Sequence, residues 1–186
     1  GELVPGPSGQ EYTVTLDSGA FTDAGNNDHA GIGGTAYTFV VEDVTGPTVS
    51  SKSPSAGQAD VALAAAVVLT FNEPVTKGSG SIVFTPSQSG SAISVAVTSS
   101  DVTIGSGSIV TIAHASTAFT SAQVAQTYTV TMASGVITDA AGVAFAGFLG
   151  TSYEFTVVDT VGPELSGQSP SGGQTEVLAG ASVTLT

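Results

Sequence analysis

The sequence has no cysteine and no tryptophan, and its only basic residues are Lys52 and Lys77. Without cysteine no disulfide can staple the fold, so a packed core must hold it; this says little about compartment. Fifteen acidic residues leave a net charge of −13. Nucleic acids and anionic membrane surfaces are recognised by clustered Lys and Arg, so both are excluded as partners, and cations are favoured. No apolar run is long enough to span a bilayer, so no membrane insertion is expected of this segment. A zinc centre needs several Cys or His at ligand spacing. Here there are only His29 and His114, in unrelated surroundings.

What is abundant is Val, Thr, Ser, Ala and Gly. Val and Thr favour strands, while Gly, Ser and Pro punctuate turns, and no helical stripe competes. The expected class is all-β. The strongest internal signal is a repeat: Val41-Glu42-Asp43-Val44-Thr45-Gly46-Pro47, with Ser53-Pro54 and Gly57-Gln58 behind it, returns as Val157-Val158-Asp159-Thr160-Val161-Gly162-Pro163, with Ser169-Pro170 and Gly173-Gln174. At the same offset of 116 residues, Tyr12-Thr13-Val14-Thr15 falls on Tyr128-Thr129-Val130-Thr131 and Thr22-Asp23-Ala24 on Thr138-Asp139-Ala140. A fixed period of domain size marks a tandem array. The expected division is the back part of one unit over 1–46, a complete unit over 47–162, and the opening of a third over 163–186. This reads as a piece of a longer repetitive protein, since partial units leave apolar strand surface uncovered. Mutual completion by strand donation between chains is a weaker alternative, because the two ends together lack the counterpart of about residues 71–116.

Within the complete unit, Val67, Leu69 and Phe71 alternate with Val68 and Thr70, the period-two pattern of a half-buried strand. Further strands are expected over Pro47 to Ser53, Ser81 to Thr85, around Ile93, Val95 and Val97, over Val102 to Ile104, Ile109 to Ala113, around Tyr128, Val130 and Met132, and over Tyr153 to Val157. Seven or eight short strands with turn signals between them suit an immunoglobulin-like Greek-key β-sandwich. Its core would rest on aliphatic residues with Phe71, Tyr128, Tyr153 and Phe155. The paired recurrence of Tyr12, Tyr37, Tyr128 and Tyr153 favours packing over a sugar-stacking platform.

Gly-Pro, Ser-Pro with Gly three residues on, Thr70-Phe71-Asn72-Glu73-Pro74-Val75, Tyr128-Thr129-Val130, Thr138-Asp139-Ala140-Ala141-Gly142 and the closing Phe155-Thr156-Val157 together resemble the bacterial Ig-like domains of S-layer proteins and giant surface adhesins. The resemblance covers the whole unit and implies an extracellular, cell-surface location and a spacer role. One departure is that Val143 follows the Gly of the Asp-Ala-Ala-Gly turn, where many relatives carry Asn.

Strand order at one pole would place Glu73 and Asp139 beside the incoming linker with Asp43. Three converging carboxylates repel one another, and a hard divalent cation with oxygen ligands relieves that repulsion; calcium is the candidate cofactor. Asp159 would repeat the arrangement with residues beyond Thr186. The alternative is that Asp43 and Asp139 merely cap turns and Glu73 is solvated. Asp23 and Asp28, with Asn26 and Asn27, form a second acidic cluster; its spacing is not that of an EF-hand loop, and a plain polar turn is the favoured reading. The Gly-rich stretches Gly31-Ile32-Gly33-Gly34 and Gly78-Ser79-Gly80 do not sit between strand and helix and read as turns, not phosphate cradles. No nucleophile elbow or triad spacing is found, so no enzyme is expected. The function expected is therefore that of a structural spacer in an adhesin, S-layer or filament, with calcium-stiffened joints. Its partners would be neighbouring repeats, with self-association into a fibre or lattice as a further expectation. The alternative is a carbohydrate- or protein-binding adhesive module using loops at one pole.

Overall fold

The computed structural model describes residues 9–88, 90–113, 119 and 126–186. The strands in chain order are β1 (Gln10–Thr13), β2 (Thr38–Val41), β3 (Val49–Ser53), β4 (Gln58–Val61), β5 (Val67–Phe71), β6 (Val75–Lys77), β7 (Ser81–Pro86) and β8 (Ile93–Ala96). They continue with β9 (Val102–Gly105), β10 (Ile109–Ile112), β11 (Thr127–Met132), β12 (Ile137–Asp139), β13 (Glu154–Val157), β14 (Gln168–Ser169) and β15 (Thr184–Leu185).

Two sheets make the sandwich, one ordered β3-β5-β10-β9 and the other β4-β13-β11-β7-β8. Alternation in sequence becomes alternation in burial, because successive side chains on a strand point to opposite faces. In β5 the residues Val67, Leu69 and Phe71 are buried, and in β11 Tyr128, Val130 and Met132 are, with their neighbours only partly covered. The buried faces of the two sheets meet in one core with Ile82, Phe84, Val110, Ile112, Phe155 and Val157. Phe119 sits at its centre, with ring centroids 5.4 Å from Phe84, 4.7 Å from Tyr128 and 5.3 Å from Phe155. Burying each such side chain is worth about 1.5–3 kcal/mol, which replaces the missing disulfide and tryptophan. Tyr153, fully buried, donates its hydroxyl to the Pro54 carbonyl at 2.8 Å, and burial pushes its ionisation far upward.

Three short strands were not legible as alternation. β4 runs parallel to β13 at the sheet edge, with Gln58 opposite Phe155. β6 and β12 form a separate two-stranded ribbon in the stretches read as turns. The expected tyrosine packing holds for Tyr128 and Tyr153, whereas Tyr37 is half exposed. His114 lies outside the described residues.

The sequence repeat is matched by local backbone geometry. Ser53-Pro54 and Ser169-Pro170 are both cis, Gly57 and Gly173 have φ of 76° and 78°, and Asp60 and Glu176 have φ of 54° and 58°. The Gln58 carboxamide oxygen accepts from the Ser55 N–H at 2.9 Å, and that of Gln174 accepts from the Ser171 N–H at 3.2 Å.

Candidate functional site

The β6–β12 ribbon builds the pole at which the chain enters. Its register sets Asp139 opposite Val75, two residues beyond Glu73. The pairing is reinforced by the Thr76 and Thr138 hydroxyls at 2.9 Å and by the Thr76 hydroxyl donating to the Asp139 carbonyl at 3.2 Å. The turn before β6 is held to the start of the domain by Asn72. Its side-chain oxygen accepts from the Thr48 N–H at 2.7 Å, and its own N–H donates to the Thr48 carbonyl at 3.0 Å. The incoming linker lies against the turn after β12. A Cβ on Gly46 would stand 2.3 Å from the Ala144 carbonyl oxygen, so only glycine allows this approach. Pro47, next in the chain, is buried.

These elements bring Asp43, Glu73 and Asp139 together. Each offers a carboxylate oxygen, and the three oxygens lie within 4.8 Å of one another. The residues are only 6%, 5% and 3% exposed, respectively, so the reading in which Glu73 is solvated does not hold. Part of the turn-capping alternative does: Asp43 Oδ1 accepts from the Thr45 N–H at 3.0 Å and Asp139 Oδ1 from the Val143 N–H at 2.8 Å. Capping leaves other oxygens over. Glu73 Oε1 and Asp139 Oδ2 are buried with no hydrogen-bond partner, an expensive state for an ionised carboxylate. Burial first, and then the negative charges of Asp139 and Asp43, push the Glu73 carboxyl above its ordinary value, with a hydrogen bond from Asn72 pulling the other way. Neither lysine supplies the missing charge: Lys77 donates to the Ser99 carbonyl at 3.0 Å, and the Lys52 ammonium stands over the rings of Phe148 and Tyr153.

The family model of the bacterial Ig-like domain matches residues 43–157, from the linker aspartate to the end of β13. The chain belongs to the bacterial Ig-like domain family. Searches of curated proteins and of solved structures return no match. Ig-like domains of this family occur in bacterial surface proteins and are generally non-enzymatic structural modules. The matched span takes in all three carboxylates.

The other sequence candidates are arranged differently. Asp23 is the counterpart of Asp139 in the sequence repeat and forms the same turn. Its N–H bonds the Asn27 carbonyl at 3.1 Å and its Oδ1 accepts from the Asn27 N–H at 2.9 Å, as Asp139 does with Val143. Asn26 holds φ at 63° where Gly142 has 89°. The difference is the residue after that position: Asn27 turns its side-chain amide onto Asp23 Oδ2 at 2.9 Å, while the Val143 side chain has no donor for Asp139 Oδ2. Asp23 is thereby satisfied, and its carboxyl lies below its ordinary value chiefly through Asn27. Asp23 and Asp28 are exposed and join no three-residue group among the described residues. His29 uses its Nδ1 to accept from the Gly31 N–H at 2.9 Å, a turn contact. Asp159 repeats the linker turn, accepting from the Val161 N–H at 2.9 Å, but is exposed. The seating glycine and the Asn72–Thr48 clamp were not singled out from sequence. Only the Gly-Pro repeat hinted at them.

Proposed function

We propose that the chain is a spacer segment of a long bacterial extracellular surface protein, an adhesin, S-layer or filament component, built from tandem Ig-like units. The units run over 1–46 (the back part of one), 47–162 (complete) and 163–186 (the opening of the next). The observation that carries this reading is the joint. Linker residues Asp43 and Pro47 are buried against the unit they introduce, and Gly46 seats on the Ala144 carbonyl. A linker held in this way transmits orientation and force from one unit to the next, and Pro47 removes a further backbone freedom. Recurrence of the Asx turn and the left-handed glycine at the second joint supports a design carried from unit to unit. Stability in such an array is the sum of units and nearest-neighbour joints.

The test is single-molecule stretching of a chain carrying two or more full repeats. Discrete unfolding events are expected, each releasing 116 residues, or about 400 Å of extended chain less the folded length. Events of unrelated length would defeat the division into units. Specific, saturable binding of a glycan or protein by the complete unit would replace the spacer reading with that of an adhesive module.

A further inference from the structure

The geometry points to a divalent-cation site, fitted to calcium, built from Asp43, Glu73 and Asp139 at the joint between the linker and the Ig-like unit. Three acidic residues in proximity would not carry this alone. What distinguishes the group is that its members are at least nine-tenths buried and that two of their oxygens, Glu73 Oε1 and Asp139 Oδ2, have no partner. The remaining caps are already made: Thr45 holds Asp43 Oδ1 and Val143 holds Asp139 Oδ1. The orphaned atoms are therefore surplus to the fold's own hydrogen bonding. One cation between the three residues gives both atoms a partner and offsets two of the three like charges.

The donor set selects the ion. It is all carboxylate, with no imidazole or thiolate of the kind zinc prefers. Calcium, with ligands at about 2.3–2.6 Å, places opposite oxygens about 4.6–5.2 Å apart. Three oxygens within 4.8 Å of one another are spaced as ligands of an ion of that size are. Magnesium demands about 2.0–2.1 Å and octahedral geometry, and retains several waters, which a buried pocket of this kind does not readily house.

The site is divided between two parts of the chain. Glu73 lies in the turn before β6 and Asp139 ends β12, whereas Asp43 precedes the first strand of the sandwich. An ion bound here fastens the linker to the domain. Asp159 carries the same internal turn as Asp43. In the preceding copy the Asp23 turn has Asn27 on the oxygen that Asp139 keeps bare, so the two turns differ in the oxygens they present.

The experiment titrates the chelator-stripped 186-residue chain with calcium chloride, and separately with magnesium chloride, by calorimetry. Free metal reaches about 10 mM, above the roughly 0.1–1 mM dissociation constants of weak extracellular calcium modules. Melting curves and backbone amide NMR shifts accompany it. One calcium per chain, a rise in Tm, and shifts centred on Thr45, Glu73 and Val143 are expected. The Glu73→Gln, Asp139→Asn double variant keeps shape while removing repulsion. It should melt in chelator no lower than wild type and lose at least about tenfold in calcium affinity. Absence of heat, Tm change and NMR shift in the wild-type chain would overturn the site, as would shifts confined to the Asp23–Asp28 turn. Magnesium binding as tight as calcium would overturn the assignment of the ion. The spacer reading is tested separately by the length of the stretching events, so either can fail alone.

Discussion

Substituting Gly46 by alanine tests the seating of the linker. The new methyl group would stand 2.3 Å from the Ala144 carbonyl oxygen and 3.2 Å from its carbon, both backbone atoms that cannot rotate away. Either the turn after β12 shifts or the linker lifts. A shift is an overpacking strain of about 1–3 kcal/mol. Lifting gives up the buried Pro47 and strains the two Thr48–Asn72 hydrogen bonds beside it, worth about 1 kcal/mol each. Both routes converge on about 2 kcal/mol. A domain of this size should respond by roughly 3–6 °C per kcal/mol, so a fall in Tm of about 6–12 °C is expected by calorimetry. The chain supplies its own control. Gly162 holds the equivalent position at the second joint, is exposed, and a Cβ there meets nothing within 4 Å. Gly162→Ala should therefore stay within about 0.5 kcal/mol of wild type. Equal effects at the two glycines, or a change below 1 °C at Gly46, would refute the argument that the linker is docked.

Phe119→Ala removes the ring that touches Phe84, Tyr128 and Phe155; a loss of about 3–5 kcal/mol in denaturant unfolding is expected. Tyr153→Phe preserves the packing but strands the buried Pro54 carbonyl, which should cost about 1–3 kcal/mol. In chelator, stability should depend on pH through Glu73. Its folded carboxyl titrates above the ordinary 4.5 because of burial and the neighbouring aspartates, so the native state binds its proton more tightly than the unfolded chain does. Stability from this group is fully present below about 4.5 and is lost as pH rises through the raised folded value. Unfolding titrations between pH 4 and 7 should show that slope in the wild type and not in Glu73→Gln; identical slopes would refute it.

The sequence by itself determined the class of the fold, the repeat and most strands. Alternation in Val67–Phe71 and Thr127–Met132 is a one-dimensional record of which face is buried, and a period of 116 residues can be seen without any coordinates. It also indicated that Asp43, Glu73 and Asp139 share a pole, because strand order in a Greek-key sandwich fixes which loops are neighbours. Local pattern did not reveal β4, whose pairing is a parallel edge contact with a segment about a hundred residues away, or the β6–β12 ribbon, whose strands are three residues each. Burial and hydrogen-bond satisfaction were decided only by tertiary structure. Asp23 and Asp139 occupy the same turn at the same repeat position, yet one carboxylate is exposed and answered by Asn27 while the other is buried with an oxygen unanswered. The difference comes from what packs around the turn: at Asp139 a linker, a glycine that admits it, and the pairing of β12 with β6 close off the solvent. Residue type sets which groups carry charge, but the distance of those groups from water and from one another is a property of the folded chain.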